Sequence, residues 1–181
     1  MSRINVIGSS ASGKSTFSRQ LAQKLAIPYI EMDAIFWQPN WQQPSDEEFF
    51  PKLKQALAQT AWVLDGNYNR TVQIKWQQVD TIIWLDYSLA RIAYQSITRA
   101  IKRSIVGKEL WPNTGNVETF KKSFCSKDSV ILWSLQNYHH NRRRYLQVKA
   151  DPQFAHIEFV HLTSPRQARR YLQQQSPITE Q

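Results

Sequence analysis

Near the start of the chain two glycines, a lysine and a serine stand at fixed spacing in Gly8-Ser9-Ser10-Ala11-Ser12-Gly13-Lys14-Ser15. The run satisfies the pattern G-x-x-x-x-G-K-[ST] at all four specified positions. Glycines let backbone N–H groups turn inward around phosphate oxygens, and a helix starting there adds the positive end of its dipole. In such a loop Lys14 reaches the β- and γ-phosphates and Ser15 ligates Mg²⁺. The chemistry on offer is binding of a nucleoside triphosphate, with Gly8, Ser9, Ser10, Ala11, Ser12, Gly13, Lys14, Ser15 and Thr16 as its contacts.

Three aspartates follow short apolar runs: Asp33, Asp65 and Asp86. In open α/β sheets ligands gather at the carboxyl ends of the strands, and runs of this kind read as strands. Asp65 follows Trp62-Val63-Leu64, as expected of a carboxylate that holds Mg²⁺ or its water. Asp33 is expected to sit within reach of an acceptor hydroxyl and take its proton. Asp86 stands two residues before a helix start at Ser88, and reads as a cap or turn residue.

The elements that must position these groups alternate between strand and helix, the pattern of a parallel sheet covered on both faces. Strands are expected at Ile4–Ile7, Tyr29–Met32, Trp62–Leu64, Thr81–Leu85 and His156–Leu162. A helix over Ser15–Ala26 carries Phe17, Leu21 and Leu25 on one face and stops before Pro28. Ala34–Pro44 is aromatic and turn-rich. Ser45 with Glu48 forms a capping box for a helix that buries Phe49, Leu53 and Leu57. The helix from Ser88 to about Arg103 repeats Leu89, Ile92, Ala93, Ile97, Ala100 and Ile101. Ser104–Phe124 has no sustained periodicity, and a segment of that length within a compact domain is often a lid. A long helix is expected from about Ser126 to Val148, and Ser164-Pro165 opens the last one.

With 181 residues the chain suits one α/β domain. No apolar run approaches the roughly 18 residues that span a bilayer, and the N-terminus reads as a strand rather than a signal peptide. The single cysteine, Cys125, cannot form an internal disulfide, so a cytoplasmic protein is expected. The formal net charge of +9 is not spread evenly. Residues 91–149 hold twelve basic and three acidic side chains, which accounts for the whole excess, while both flanks are neutral. That third of the protein favours an anionic ligand, whether polyphosphate, a phosphorylated compound or nucleic acid.

Taken together these features resemble the adenylate-kinase-like and shikimate-kinase-like phosphotransferases. The resemblance is closer to the adenylate-kinase-like branch called topology modulation protein, or FlaR-like. It rests on the loop, on Asp33-x-x-Phe36-Trp37-x-Pro39-x-Trp41, on Leu64-Asp65-Gly66-Asn67-Tyr68, on Gly115-Asn116-x-Glu118-Thr119-Phe120 and on Ser164-Pro165-Arg166. It covers nearly the whole chain, from Gly8 to about Leu172. It implies a P-loop NTPase fold, three-layer α/β/α with a five-stranded parallel sheet, a substrate module around residues 34–60 and a lid around 104–124. It also implies ATP and Mg²⁺ as cofactors and transfer of the γ-phosphoryl to a small acceptor. Arginines would neutralise the transferring group, with Arg99 and Arg103 before the lid and Arg142 to Arg144 after it as candidates. Of the last three, one faces the site, and Arg142 is the expected one. Arg103 would also pack on the adenine.

Nucleoside monophosphate kinases usually show Asp-Gly-Phe-Pro-Arg after the third strand, whereas this chain reads Asp65-Gly66-Asn67-Tyr68-Asn69-Arg70. The acceptor, a nucleotide or another small molecule, is therefore open. Asp33, Trp37, Tyr68 and Arg70 are the expected acceptor contacts, with Arg70 suited to an anionic group. Trp37 and Trp41 either stack on a planar acceptor or build the core. His139 and His140, adjacent on a helix, point about 100° apart and do not suit a shared metal. Two functions follow: a small-molecule or nucleotide kinase, and a nucleic-acid-binding ATPase or regulator affecting DNA topology. The kinase is favoured, because polyphosphate already accounts for a basic lid.

Overall fold

The strands of the computed structural model are buried on both faces, and this decides the architecture. β1 (Arg3–Gly8), β3 (Trp62–Asp65) and β4 (Thr81–Leu85) alternate their side chains between two cores. Val6, Val63 and Ile83 point to one, with Phe17, Leu21, Ala168 and Leu172. Ile7, Leu64, Ile82 and Trp84 point to the other, with Phe49, Leu53 and Tyr145. Such two-sided burial explains why these segments read as continuous apolar runs. The structure describes residues 2–106, 110–111, 114–117 and 136–177, without the side chains of residues 103, 104 and 106.

All five strands are parallel, in the order β2-β3-β1-β4-β5, with β2 spanning Tyr29–Glu31 and β5 Glu158–Leu162. α1 (Lys14–Leu25) and α7 (Pro165–Gln173) cover one face. α3 (Asp46–Leu57) and α6 (Tyr138–Ala150) supply the opposite core. The capping box of α3 is present, with the Ser45 hydroxyl accepting from the Glu48 N–H. Ser164 likewise caps α7 through the Gln167 N–H. Both caps satisfy N–H groups that a helix start leaves free.

Several boundaries differ from the sequence reading. β2 stops at Glu31, and Met32–Phe36 forms a short helix, α2, so Asp33 lies in a helical turn just past the strand. α4 is a short helix at Val72–Lys75. α5 runs from Leu89 to Val106, past the expected end. Its periodicity predicted a continuous buried stripe, yet Ile92 and Ala100 are buried while Ile97 and Ile101 are each 43% exposed. The expected long helix is described from Tyr138 to Ala150. Residues 126–135, Cys125, Gly107, Pro112 and 118–124 lie outside the described residues. Asp86 is not a helix cap: the Ser88 hydroxyl fills that role for the Arg91 N–H.

β1 delivers the glycine loop between two neighbours, and the fit is tight. Gly8 has φ +151°, and a Cβ there would meet the Leu85 carbonyl oxygen at 2.6 Å. Gly66, just past β3, has φ +149°, and a Cβ there would meet Met32 at 2.7 Å. Gly66→Ala combines an unfavourable φ with overpacking. It is expected to destabilise the fold by about 2 kcal/mol or more, read as a lower urea midpoint with an unchanged m-value.

Candidate functional site

The loop follows from its neighbours. Gly8 pairs in register with Leu85, and Val6 with Asp65, so residues 9–13 leave the sheet beside the ends of β3 and β4. Ala11 holds φ 61° and Gly13 φ 89°, positive-φ backbone that turns the chain into α1. Lys14 folds back over the loop, its Nζ donating to the Ser9 carbonyl at 2.9 Å. Burial pushes its ammonium below the ordinary lysine value, opposed by the charges of Asp65 and Asp33, with Arg99 adding to the lowering. Lys14 therefore stands at a point where two of the expected carboxylates and one expected arginine converge. Arg99 reaches the loop directly, donating to the Ser10 hydroxyl at 3.3 Å. Ser15 and Thr16 lie in the first turn of α1, Thr16 exposed.

Asp65 is 5% exposed. Its Oδ2 accepts from the Tyr29 hydroxyl at 3.3 Å, whereas Oδ1 is sealed from solvent with no hydrogen-bond partner among the described residues. Burial raises its carboxyl above the ordinary value, while the Lys14 charge and the nearby Ser15 hydroxyl pull it back. A buried carboxylate oxygen without a donor is a ready ligand for a hard cation. Ser15 and Asp65 offer hard oxygens, which fits Mg²⁺ held largely by phosphates and water. No group of three or more His, Cys, Asp or Glu among the described residues could form an all-protein metal cage.

Asp33 is exposed, its Oδ1 accepting from the Tyr68 hydroxyl at 2.6 Å. Burial and the Asp33 charge both push the Tyr68 hydroxyl up, so it remains a donor. Tyr68 packs on Phe36 at 4.8 Å, Phe36 meets Trp37 edge-on at 5.0 Å, and Trp37 meets Trp41 at 5.5 Å. Arg70 is engaged in this module: its guanidinium pairs with Asp46 at 2.8 Å and lies over the Phe36 and Phe49 rings. Arg70 thus already has an anionic partner in Asp46, though its guanidinium stays partly exposed.

Part of the segment expected to be a lid is docked on the same module. Trp111 is buried, meets Trp41 at 6.0 Å and donates Nε1–H to Glu31 Oε1 at 3.2 Å. Asn116 is fully buried; its Oδ1 accepts from the Trp41 N–H at 2.8 Å and its Nδ2 donates to the Gln38 carbonyl at 3.0 Å. Asn40 and Trp41 both hold left-handed backbone, φ 59° and 61°. For a tryptophan that is an uncommon and strained state, which persists only where surrounding contacts over-determine it.

Arg142 is engaged by the carboxylate that directly follows β4. Its Nε donates to Asp86 at 3.0 Å, and His161 Nε2 lies 2.9 Å from the same carboxylate oxygen. Asp86, read as a cap, is instead a buried carboxylate with two side-chain partners, Arg142 and His161, tying α6 to β4 and β5. Arg143 is exposed, and Arg144 lies over the Tyr145 ring at 4.7 Å. The side chain of Arg103 lies outside the described residues. A groove of about 380 Å³ opens past the loop, lined by Tyr87, Arg91, Ser164, Pro165, Arg166 and Arg169.

Some residues gave no signal of function. Asn5 interrupts the first apolar run and is fully buried. It donates to the Leu64 and Gly66 carbonyls and accepts from Trp76 Nε1 at 2.8 Å. Asn67 clasps Gly8 at both ends, accepting from its N–H at 3.1 Å and donating to its carbonyl at 2.6 Å. The hints in sequence were a polar asparagine inside a strand run and the place of Asn67 in the Leu64-Asp65-Gly66-Asn67-Tyr68 element.

No protein-family model matches the chain, and no curated protein matches it. Among solved structures it is similar to a shikimate kinase from Bacteroides thetaiotaomicron, at 14% identity and a TM-score of 0.53, over 95% of this chain and 94% of that one. A gluconokinase from Sinorhizobium meliloti 1021 aligns at 17% identity and a TM-score of 0.48, over 95% and 91%. The likeness to the shikimate kinase shows the fold: a five-stranded, all-parallel P-loop α/β sheet with helices on both faces.

Asp65 carries a stability consequence. Its folded carboxyl titrates above the ordinary 3.8, so the folded state binds protons more tightly than the unfolded chain. The ionised group then opposes folding at pH 7, and that opposition fades as pH falls through the raised value toward 3.8. Asp65→Asn without Mg²⁺ or nucleotide is expected to melt at higher temperature than wild type at pH 7. The difference should shrink as pH falls toward about 4 and be absent below it.

Proposed function

We propose that the protein is an ATP-dependent phosphotransferase that moves the γ-phosphoryl of ATP to a hydroxyl of a small acceptor, a nucleotide or another compound. The observation that carries this reading is the convergence on Lys14. The charges of Asp65 and Asp33 both act on this lysine, and Asp33 is held by the Tyr68 hydroxyl. A phosphate-binding loop alone needs no second carboxylate held by a tyrosine on an aromatic module.

In this reading the loop amides and Lys14 hold the β- and γ-phosphates, and Arg99 adds charge at the loop. Mg²⁺, held by Ser15 and Asp65, neutralises charge on the phosphates when bound. Asp33 takes the proton from the acceptor hydroxyl, whose oxygen forms the new bond to phosphorus as the bond to the β-phosphate oxygen breaks and ADP leaves. Tyr68 keeps the Asp33 carboxylate turned toward the acceptor. Arg142, held by Asp86 just past β4, is the arginine that neutralises charge on the transferring group. The groove beside Pro165 lies at the same sheet end, since Leu85 pairs with both Gly8 and Leu162, and it suits the base and ribose of the donor. Residues 34–60 form the acceptor module, and Trp111 with Asn116 forms its roof. The finer resemblance to topology modulation proteins belongs to this proposal.

The nucleic-acid reading gains no specific support. Within the basic segment Arg99 and Arg142 engage Ser10 and Asp86. No helix of the described residues is long and apolar enough to cross a membrane. A cytoplasmic kinase accords with the proposal.

Three measurements test it. ADP release with Mg²⁺-ATP against a panel of nucleosides, nucleoside monophosphates and hydroxylated acids should rise with at least one acceptor. An acceptor-independent rate across the panel defeats the proposal. Lys14→Ala should lower that rate by roughly 10²-fold or more. Asn116→Ala, which frees Trp41 from its left-handed state, should raise the KM of the active acceptor about tenfold, matching the roughly 1–3 kcal/mol of such strain. The KM for ATP should stay unchanged.

A further inference from the structure

Lys75 is fully buried, and among the described residues no carboxylate pairs with it. Its Nζ donates to the Asn67 carbonyl at 2.7 Å and to the Gly66 carbonyl at 3.4 Å. The ammonium also lies 5.5 Å from the centre of the neighbouring Trp76 ring. The charge acting on it is that of Arg144, of like sign. Burial, with Arg144, lowers its pKa to about 7. A lone buried charge is costly, and an apolar side chain of the same length would ordinarily serve the core better. A group kept under those conditions needs a reason, and its two acceptors supply one.

Gly66, Asn67 and Tyr68 form the turn between the two halves of the site. The Asn67 side chain clasps the N–H and C=O of Gly8, where the phosphate loop begins. The Tyr68 hydroxyl holds Asp33. Gly66 has a positive φ and lies against Met32, so the turn is confined on its outer side. On its inner side the Gly66 carbonyl accepts from Asn5 and Lys75, and the Asn67 carbonyl from Lys75. We propose that Lys75 is a positioning residue whose ammonium, by gathering the Gly66 and Asn67 carbonyls, sets the turn that aligns the phosphate loop with the Asp33 carboxylate. It touches neither substrate and acts through Asn67 and Tyr68. This deepens the proposed function and rests on it for the roles of the loop and of Asp33.

The test is a double-mutant cycle on binding of a nonhydrolysable ATP analogue with Mg²⁺, followed by calorimetric titration. Lys75→Met keeps the length and removes the donors; Asn67→Ala removes the clasp on Gly8. Each single variant should weaken binding about tenfold while keeping its far-ultraviolet circular dichroism. The double variant should be no more than about twofold weaker than either single one, because both act through one turn. Additive losses overturn the proposal, as does a folded Lys75→Met that binds within twofold of wild type. If Lys75→Met does not fold, Lys75→Gln, which carries a neutral donor into the same space, takes its place under the same criteria. Lys14→Ala is the control that separates the two readings. If it binds as wild type does, the phosphate-loop reading fails. If it alone loses binding, Lys75 has no positioning role.

Discussion

The constraint on which the site depends is the close approach of three chains at Gly8. β1 must pass between β3 and β4 and then turn into the phosphate loop with no room for a side chain. The Leu85 carbonyl stands 2.6 Å from where a Cβ would be. Tight packing alone would leave the loop free to swing, since glycine lacks conformational preference. The clasp of Asn67 on both backbone groups of Gly8 removes that freedom. Two hydrogen bonds from one side chain then set the starting point of the phosphate loop.

From that clasp the organisation spreads outward through polar groups buried beneath the loop. Asn5, Lys75 and Trp76 surround the Gly66–Asn67 turn, and nearly all their polar atoms are committed to it or to each other. In a low-dielectric interior such a network is rigid when satisfied and costly when broken. The same turn continues into Tyr68 and so to Asp33, which links the phosphate loop to the Asp33 helix through hydrogen bonds. Across the acceptor module, rigidity comes from aromatic packing and from Asn116, which holds Trp41 in a conformation the residue would otherwise leave. Two parts of the chain about 75 residues apart in sequence meet there.

Electrostatics divide the charged residues into two sets. Asp86, Arg142 and His161 satisfy one another and fasten α6 to the sheet. Arg70 and Asp46 do the same for the acceptor module. By contrast, Asp65 is buried with an oxygen that has no hydrogen-bond partner among the described residues, and half-buried Lys14 donates to the Ser9 carbonyl of the loop. Unsatisfied groups of this kind cost stability unless a ligand completes them, which is the usual mark of a binding site.

Much was legible in the residues themselves. The phosphate loop, the five parallel strands and the capped helices follow from local spacing, turn chemistry and alternation, because each of these is decided within a few residues. Asp33 and Asp65 were placed by the ends of their strands. Other features depended on partners far along the chain. Asp86 resembles a helix cap in sequence, but Arg142 and His161, 56 and 75 residues away, make it an ion-pair centre. Arg70 looked available until Asp46 closed on it. Lys75 carries no motif at all; its role appears only when a short helix brings its ammonium under two carbonyls of a distant-reaching turn. The sequence by itself determined the phosphate-loop motif, since it is one contiguous segment whose glycines and lysine stand at fixed local spacing. Only the tertiary structure decided how the acceptor side is aligned with it, because that alignment runs through buried hydrogen bonds whose partners no local pattern brings together.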